Sequence, residues 1–211
     1  MSKLYFYYGV MGSAKTAQAL MQKFNFEEND KKVWLIKPSI DTRDCDNTNF
    51  SYENNNKIKR KISSRIGLSD YVDVIENNVN IIDLFEDKFW NFEKFDIVIC
   101  DEAQFLTAEQ VDQLKEISDK FNIPVFCYGL KTDFKTHLFE GSKRLLEISD
   151  TIREIVCSCK CGNKANVNAR LDNFGNIIVD GDQVDIGGNE KYKGMCYSCY
   201  KKELKKHDKD K

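Results

Sequence analysis

Short apolar runs alternate with longer amphipathic stretches along residues 1–156. Leu4–Tyr8 is an unbroken aliphatic and aromatic run, the composition of a buried strand. Thr16–Phe24 offers Ala17, Ala19, Leu20, Met21 and Phe24 for one face of a helix. Lys32–Lys37 encloses Val-Trp-Leu-Ile, a second strand stopped by Pro38. Ile81–Phe92 reads as an amphipathic helix, and Ile97–Cys100, an apolar run between charges, as a central strand. A capping-box pattern, Thr107-Ala-Glu-Gln110, opens a helix that runs to about Asn122. Val125–Tyr128 is a further strand between Pro124 and Gly129, followed by a short helix at Arg144–Ile148 and a last strand at Ile152–Val156. Strands separated by helices predict an α/β fold: right-handed crossovers and a mostly parallel sheet with helices on both faces.

Two stretches break this rhythm. Asp41–Arg60 is rich in Asn, Asp and Lys with little periodicity and reads as a mobile loop. After Cys157 the chain becomes glycine-rich, with no long helical pattern, and reads as a small second unit over residues 157–200. Lys201–Lys211 is a mostly charged tail expected to fray.

Composition narrows the function classes. A chain of 211 residues suits one large domain, or one domain with a small appendage. No run approaches the ~18 apolar residues of a membrane span, and the start lacks a signal-peptide pattern, so a cytoplasmic protein without a membrane partner is expected. The net charge of −2 gives no whole-molecule attraction to nucleic acid. Only His137 and His207 are present, which excludes paired-histidine metal chemistry, and no G-x-S-x-G motif accompanies either. The 8 Cys are informative because five of them, Cys157, Cys159, Cys161, Cys196 and Cys199, crowd the last quarter. In a reducing compartment such a cluster suggests metal more than disulfides.

Candidate chemistry follows the first strand directly. Gly9-Val10-Met11-Gly12-Ser13-Ala14-Lys15-Thr16 fits the phosphate-loop pattern G-x-x-x-x-G-K-[ST] at every fixed position except Ala14, which replaces the second glycine. Backbone N–H groups of such a loop cradle phosphate oxygens, Lys15 reaches the β- and γ-phosphates, and the Thr16 hydroxyl binds Mg²⁺. Ala14 adds a methyl group where a positive φ favours glycine. The apolar strand 97–100 ends in Asp101 and Glu102, and ligands of a parallel sheet bind beyond the carboxyl ends of its strands. Asp101 then serves Mg²⁺, and Glu102 is the carboxylate that takes a proton from a hydroxyl or orients a water. These residues alone admit a kinase or an ATPase.

The cysteines leave their own choice open. Cys196 and Cys199 form a C-x2-C pair, whereas Cys157, Cys159 and Cys161 contain C-x-C twice and no C-x2-C. Residues 162–195 separate the groups, more than the ~15–20 usual for a zinc ribbon. Four thiolates suffice for a closed, structural zinc site. A zinc ribbon that docks DNA or a protein, with the ATP site as a switch, is the alternative reading. The lysine-rich tail is its supporting feature.

Three further stretches extend these motifs: Asp101-Glu-Ala-Gln-Phe105, Cys127-Tyr-Gly-Leu-Lys-Thr-Asp-Phe134 and Ile186-Gly-Gly-Asn-Glu-Lys-Tyr192. With the phosphate loop and Asp41-Thr-Arg43, they resemble the type II thymidine kinases in order, from about residue 3 to residue 200. The resemblance implies a RecA-like P-loop domain over 1–156 and a zinc-binding lasso over 157–200. It implies ATP-dependent phosphorylation of the 5′-hydroxyl of thymidine, with deoxyuridine as second substrate. A homotetramer and feedback inhibition by thymidine triphosphate are implied likewise.

By the same resemblance, Gly9, Val10, Met11, Gly12, Ser13, Ala14, Lys15 and Thr16 bind the nucleotide with Asp41, Arg43, Asp101 and Gln104, and Glu102 is the general base. Phe105, Phe134, Gln183, Val184, Asp185, Ile186, Gly187 and Tyr192 are expected around the nucleoside. The family's C-x-C form matches Cys159 and Cys161, giving Cys159, Cys161, Cys196 and Cys199 as zinc ligands with Cys157 as the alternative to Cys159.

Overall fold

The computed structural model describes residues 3–40, 50–53, 57–91, 94–183 and 191–207. The chain runs through β1 (Leu4–Tyr8), α1 (Lys15–Glu27), β2 (Val33–Pro38), β3 (Phe50–Glu53), β4 (Lys57–Ser63), β5 (Ser69–Ile75), α2 (Ile81–Asn91) and β6 (Ile97–Cys100). A 3-10 turn (Ala103–Phe105) leads to α3 (Ala108–Phe121), β7 (Val125–Gly129), α4 (Glu140–Ile148) and β8 (Thr151–Glu154). The rest comprises β9 (Cys157–Ser158), β10 (Lys164–Ala165), β11 (Val167–Arg170), β12 (Tyr192–Met195) and α5 (Tyr197–His207).

Eight strands form one sheet in the order β3-β4-β5-β2-β6-β7-β1-β8. All neighbours from β5 to β8 run parallel, and only the β3–β4 and β4–β5 pairs are antiparallel. The mostly parallel α/β fold read from the sequence is therefore present. Successive side chains of a strand point to opposite faces, and both faces of the central strands are apolar. Leu4, Phe6, Trp34, Ile36, Val98, Cys100, Val125 and Cys127 meet Phe85 of α2, Leu114 of α3 and Leu145 of α4 on one face. The intervening Leu35, Ile97, Ile99, Phe126 and Tyr128 meet Ala19 and Leu20 of α1 on the other. That double burial explains why these strands read as continuous apolar runs.

Three expectations need correction. Asp41–Arg60 is not simply a loop: β3 and the start of β4 lie within it, while 41–49 and 54–56 fall outside the described residues. The β4 segment Lys57-Ile-Lys-Arg-Lys-Ile-Ser does alternate, but its lysines hide the strand signal, and cationic residues of this kind suit strands near a sheet edge. Ile62 of β4 is buried beside Val72 of β5. Second, α4 starts at Glu140 and not at Arg144. Gly141 sits so close to the 3-10 turn that a Cβ there would lie 2.6 Å from the Ala103 and Leu106 carbonyls, and the Ser142 hydroxyl donates to the Leu130 carbonyl at 2.5 Å. Packing, not periodicity, sets this helix's start. Third, the charged tail does not begin to fray at Lys201. It continues α5 to His207, because Tyr200 and Leu204 pack against Val167, Ala169 and Ile177.

The helix start at Thr107 has both halves of its capping box. The Thr107 hydroxyl accepts the Gln110 N–H at 3.1 Å, and the Gln110 side-chain oxygen accepts the Thr107 N–H at 3.3 Å. Thr107→Ala removes the first of these bonds. It is expected to cost about 1 kcal/mol and to lower the melting midpoint by roughly 2–4 °C in a chain of this size. Calorimetry checks this, and an unchanged midpoint would show that α3 does not depend on its cap.

Candidate functional site

The link between β1 and α1 folds back on itself before the helix starts. The Ser13 N–H donates to the Val10 carbonyl at 3.1 Å, and the Lys15 ammonium donates to the same carbonyl at 3.0 Å. Gly12 and Ala14 both have left-handed backbones, with φ of 79° and 62°. Ala14 is the N-cap of α1, and no side chain caps the helix. The first-turn N–H groups and the helix dipole therefore favour an anion at the loop. The methyl group of Ala14 makes this geometry cost about 1–2 kcal/mol more than glycine's.

The carboxyl end of β6 meets this loop. The Thr16 hydroxyl donates to Asp101 Oδ2 at 2.8 Å. Asp101 is only 1% exposed and Glu102 only 5%. Burial, and secondarily the Glu102 charge, push the Asp101 carboxyl up to about 7, against the pull of the Thr16 hydroxyl and Lys15. Asp101 Oδ1 and Ser13 Oγ are buried without a hydrogen-bond partner among the described residues. Hard oxygen donors and a raised carboxyl fit a small divalent cation, whose charge would bring the carboxylate back down.

Glu102 has a left-handed backbone, φ 51°. Its carboxylate accepts the Gln104 amide at 2.5 Å, and the Gln104 oxygen accepts the Leu130 N–H at 2.9 Å. Gln104 thus ties Glu102 to the end of β7. Burial and that amide fix the carboxylate in place, as a proton acceptor needs.

Beyond β7 a turn is built on Asp133, whose carboxylate accepts the N–H groups of Lys135 and His137 at 2.9 and 2.8 Å. Its other oxygen accepts the Gln183 side-chain amide at 3.0 Å. Phe134 is 1% exposed: the Arg170 guanidinium lies 5.3 Å above its ring, and the Tyr200 hydroxyl donates to its carbonyl at 3.0 Å. Tyr192, on β12, pairs with Arg170 on β11. Phe105 is half-buried edge-on to Phe139 at 5.7 Å. Phe134, Gln183 and Tyr192 are thus joined through Asp133 and Arg170, while Phe105 follows the acidic pair. Asp41, Arg43 and Val184–Gly187 lie outside the described residues.

Cys159, Cys161, Cys196 and Cys199 bring their sulfurs within 4.8 Å of one another. The Cys161–Cys196 separation is 3.6 Å, close to the about 3.8 Å edge of a tetrahedron with 2.3 Å metal–sulfur bonds. The backbone N–H groups of Cys161 and Cys196 hold the Cys159 thiol down to about 6, and that of Cys199 lowers Cys196. Hydrogen bonding to the neighbouring sulfurs, Cys196 first, pushes Cys199 up to about 12. Four thiolates so close need a cation, and the donor set is that of a structural zinc site. Cys157 stands apart, its sulfur 3.9 Å from the Gly12 carbonyl.

Two residues at this edge carry no sequence motif. Asn168 on β11 accepts the Met11 N–H at 2.7 Å and donates to the Thr132 carbonyl at 2.8 Å, joining the phosphate loop to the Asp133 turn. Lys37 is 1% exposed at the end of β2. Ile36 and Cys100 are register partners, so Lys37 lies beside Asp101. The only sequence signal was a lysine inside an apolar strand.

Comparison with known proteins agrees with this geometry. The thymidine kinase family model matches residues 2–200. A thymidine kinase of Legionella pneumophila (strain Philadelphia 1) is 43% identical over 202 residues, covering 96% of this chain and 90% of the relative. One from Aliivibrio fischeri is 42% identical over 206 residues, covering 98% of this chain and 100% of the relative. One from Haemophilus influenzae (strain Rd) is 40% identical over 201 residues, covering 95% and 97% respectively.

The left-handed Ala14 gives a direct test of the loop. Ala14→Gly is expected to raise folding stability by about 1 kcal/mol, the relief of the methyl group exceeding the added freedom of the unfolded chain. Denaturant unfolding measures this, and a loss of stability would show that the loop carries no strain at that position.

Proposed function

The chain belongs to the thymidine kinase family, and from that premise we propose that it transfers the γ-phosphoryl group of ATP to the 5′-hydroxyl of thymidine. Deoxyuridine is the second substrate, and the setting is pyrimidine salvage. The observation that carries the reading is the Thr16–Asp101 hydrogen bond, which brings the phosphate loop and the two buried carboxylates to one point.

In this reading residues 9–16 hold the triphosphate through backbone N–H groups, and Lys15 leaves the Val10 carbonyl for the β- and γ-oxygens. Thr16 and Asp101 would hold Mg²⁺, which neutralises phosphate charge when bound. Asp41 and Arg43 act on the same phosphates. Glu102, steadied by Gln104, takes the proton of the 5′-hydroxyl as the new O–P bond forms and the bond to the departing ADP breaks. Phe105, Phe134, Tyr192 and the 183–187 stretch enclose the nucleoside.

Cys159, Cys161, Cys196 and Cys199 would hold zinc as a purely structural ion, pinning both ends of the intervening loop as a lasso that keeps water from the phosphoryl group. The kinase unit then covers 1–156 and the lasso 157–200. Homotetramer assembly, feedback inhibition by thymidine triphosphate and a cytoplasmic location complete the proposal. Among the described residues no helix is long and apolar enough to cross a membrane.

ADP release measured with Mg²⁺ and ATP is expected to depend on thymidine, to occur with deoxyuridine and to be weak with purine nucleosides. Equal ADP release without nucleoside would instead favour an ATPase in which Glu102 activates water. Glu102→Gln should lower kcat by roughly 10²-fold or more with ligand binding retained, and a near-wild-type rate would remove Glu102 from its role. Stripping zinc, verified by metal analysis, is expected to make residues 157–200 sensitive to protease and to raise the thymidine KM. A zinc-free protein with unchanged protease resistance and KM would exclude the pinning role.

A further inference from the structure

The β4–β5 hairpin delivers a cation to the phosphate loop. Its turn is fixed locally: the Ser64 N–H donates to the Leu68 carbonyl at 2.7 Å, the Leu68 N–H donates to the Ser64 hydroxyl at 3.0 Å, and Gly67 supplies a left-handed φ of 88°. The hairpin's position is fixed by α1. Ile62 and Val72 are buried with Ala19 and Leu20 of that helix, and Lys23 of α1 pairs with Asp70 of β5 at 2.6 Å. The turn is thus held by the helix that carries Lys15 and Thr16 at its start. At the turn's apex is Arg65, and a Cβ placed on Gly12 would lie 3.8 Å from its Nη1. The guanidinium stands over the rim of the phosphate loop.

We propose that Arg65 is a phosphate-binding residue for the donor nucleotide, reaching its phosphates from beside Gly12 at the rim of the loop. The Arg65 guanidinium lies beside Gly12 of a loop that leads into a helix N-terminus, where an anion is favoured. The planar guanidinium also matches two phosphate oxygens at once, which an ammonium does not. The inference rests on reading the loop as a nucleoside triphosphate site.

Arg65 is exposed, so its replacement leaves the core intact. Calorimetric titration with Mg-ATP, and steady-state kinetics with ATP and thymidine varied separately, test the idea on the full chain. Arg65→Ala is expected to weaken ATP binding about ten-fold or more, with thymidine KM and melting midpoint unchanged and with Arg65→Lys recovering part of the loss. Ile66→Ala, at the next exposed position of the same turn, is expected to bind ATP as the wild type does. Wild-type ATP affinity in Arg65→Ala would overturn the assignment, as would an equal loss in Ile66→Ala, which would place the effect in the turn and not in the guanidinium. A wild-type protein that does not bind ATP would overturn the donor reading itself, an outcome distinct from both.

Discussion

The hydrogen bond from Thr16 to Asp101 joins the two halves of the site. The sheet order makes it possible. β7 lies between β1 and β6, and α1 leaves β1 to pack across β7, β6 and β2. The start of α1 thereby comes over the end of β6, although 85 residues separate Thr16 and Asp101. Everything chemically useful then collects beyond the carboxyl ends of the strands: helix N–H groups, Lys15, two carboxylates and the Lys37 side of β2. Burying so much charge at one edge is unfavourable by itself, as the raised Asp101 carboxyl shows. A bound phosphate and cation would offset that cost and so link ligand binding to local stability.

The cysteine-bearing segment is joined to the same loop. Val10 is buried among Cys159, Ala165 and Cys196, so a phosphate-loop residue is part of the small core around the four sulfurs. Gly194 of β12 passes so close that a Cβ on it would lie 2.9 Å from Val10 Cγ2. Asn168 adds a polar link, accepting from Met11 and donating to Thr132. A metal held by these four sulfurs would therefore act on more than the loop between its ligands: Val10 links it to the loop after β1, and Asn168 links that loop to the Asp133 turn.

What could be read in the sequence follows from where the physical signal is stored. Ile97–Cys100 and Val125–Tyr128 were legible because strands buried on both faces must be apolar throughout. The Thr107 helix was legible because its cap is local. That residues 9–16 and the pair Asp101–Glu102 meet at one sheet edge was legible for the same reason, each being a short run at the end of a strand. The β4 strand was hidden by its lysines, and α5 beyond Lys201 by charge on its exposed side. Asn168 and Arg65 were illegible for another reason. Each owes its place to long-range contacts: β11 pairing with β12 in one case, a hairpin docked on α1 in the other. The cysteine spacing left Cys157 and Cys159 open and the resemblance favoured Cys159; in the folded chain Cys157 is turned to the Gly12 carbonyl and Cys159 lies among the other three sulfurs.

The two left-handed residues, Ala14 and Glu102, have related work to do. In a continuing strand Asp101 and Glu102 would point to opposite faces of the sheet, one carboxylate lost among the helices of the far side. A left-handed Glu102 breaks that alternation at the last possible position. Both carboxylates then stay close enough for the charge of one to raise the other. At Ala14 a left-handed residue stands immediately before α1, whose first turn has no side-chain cap and so favours an anion. Neither residue is a glycine, so the conformation is imposed by the surroundings: Gln104 and the 3-10 turn at one corner, Lys15 and the Val10 carbonyl at the other. The Thr16–Asp101 hydrogen bond between these two corners is what brings the loop and the pair of carboxylates together.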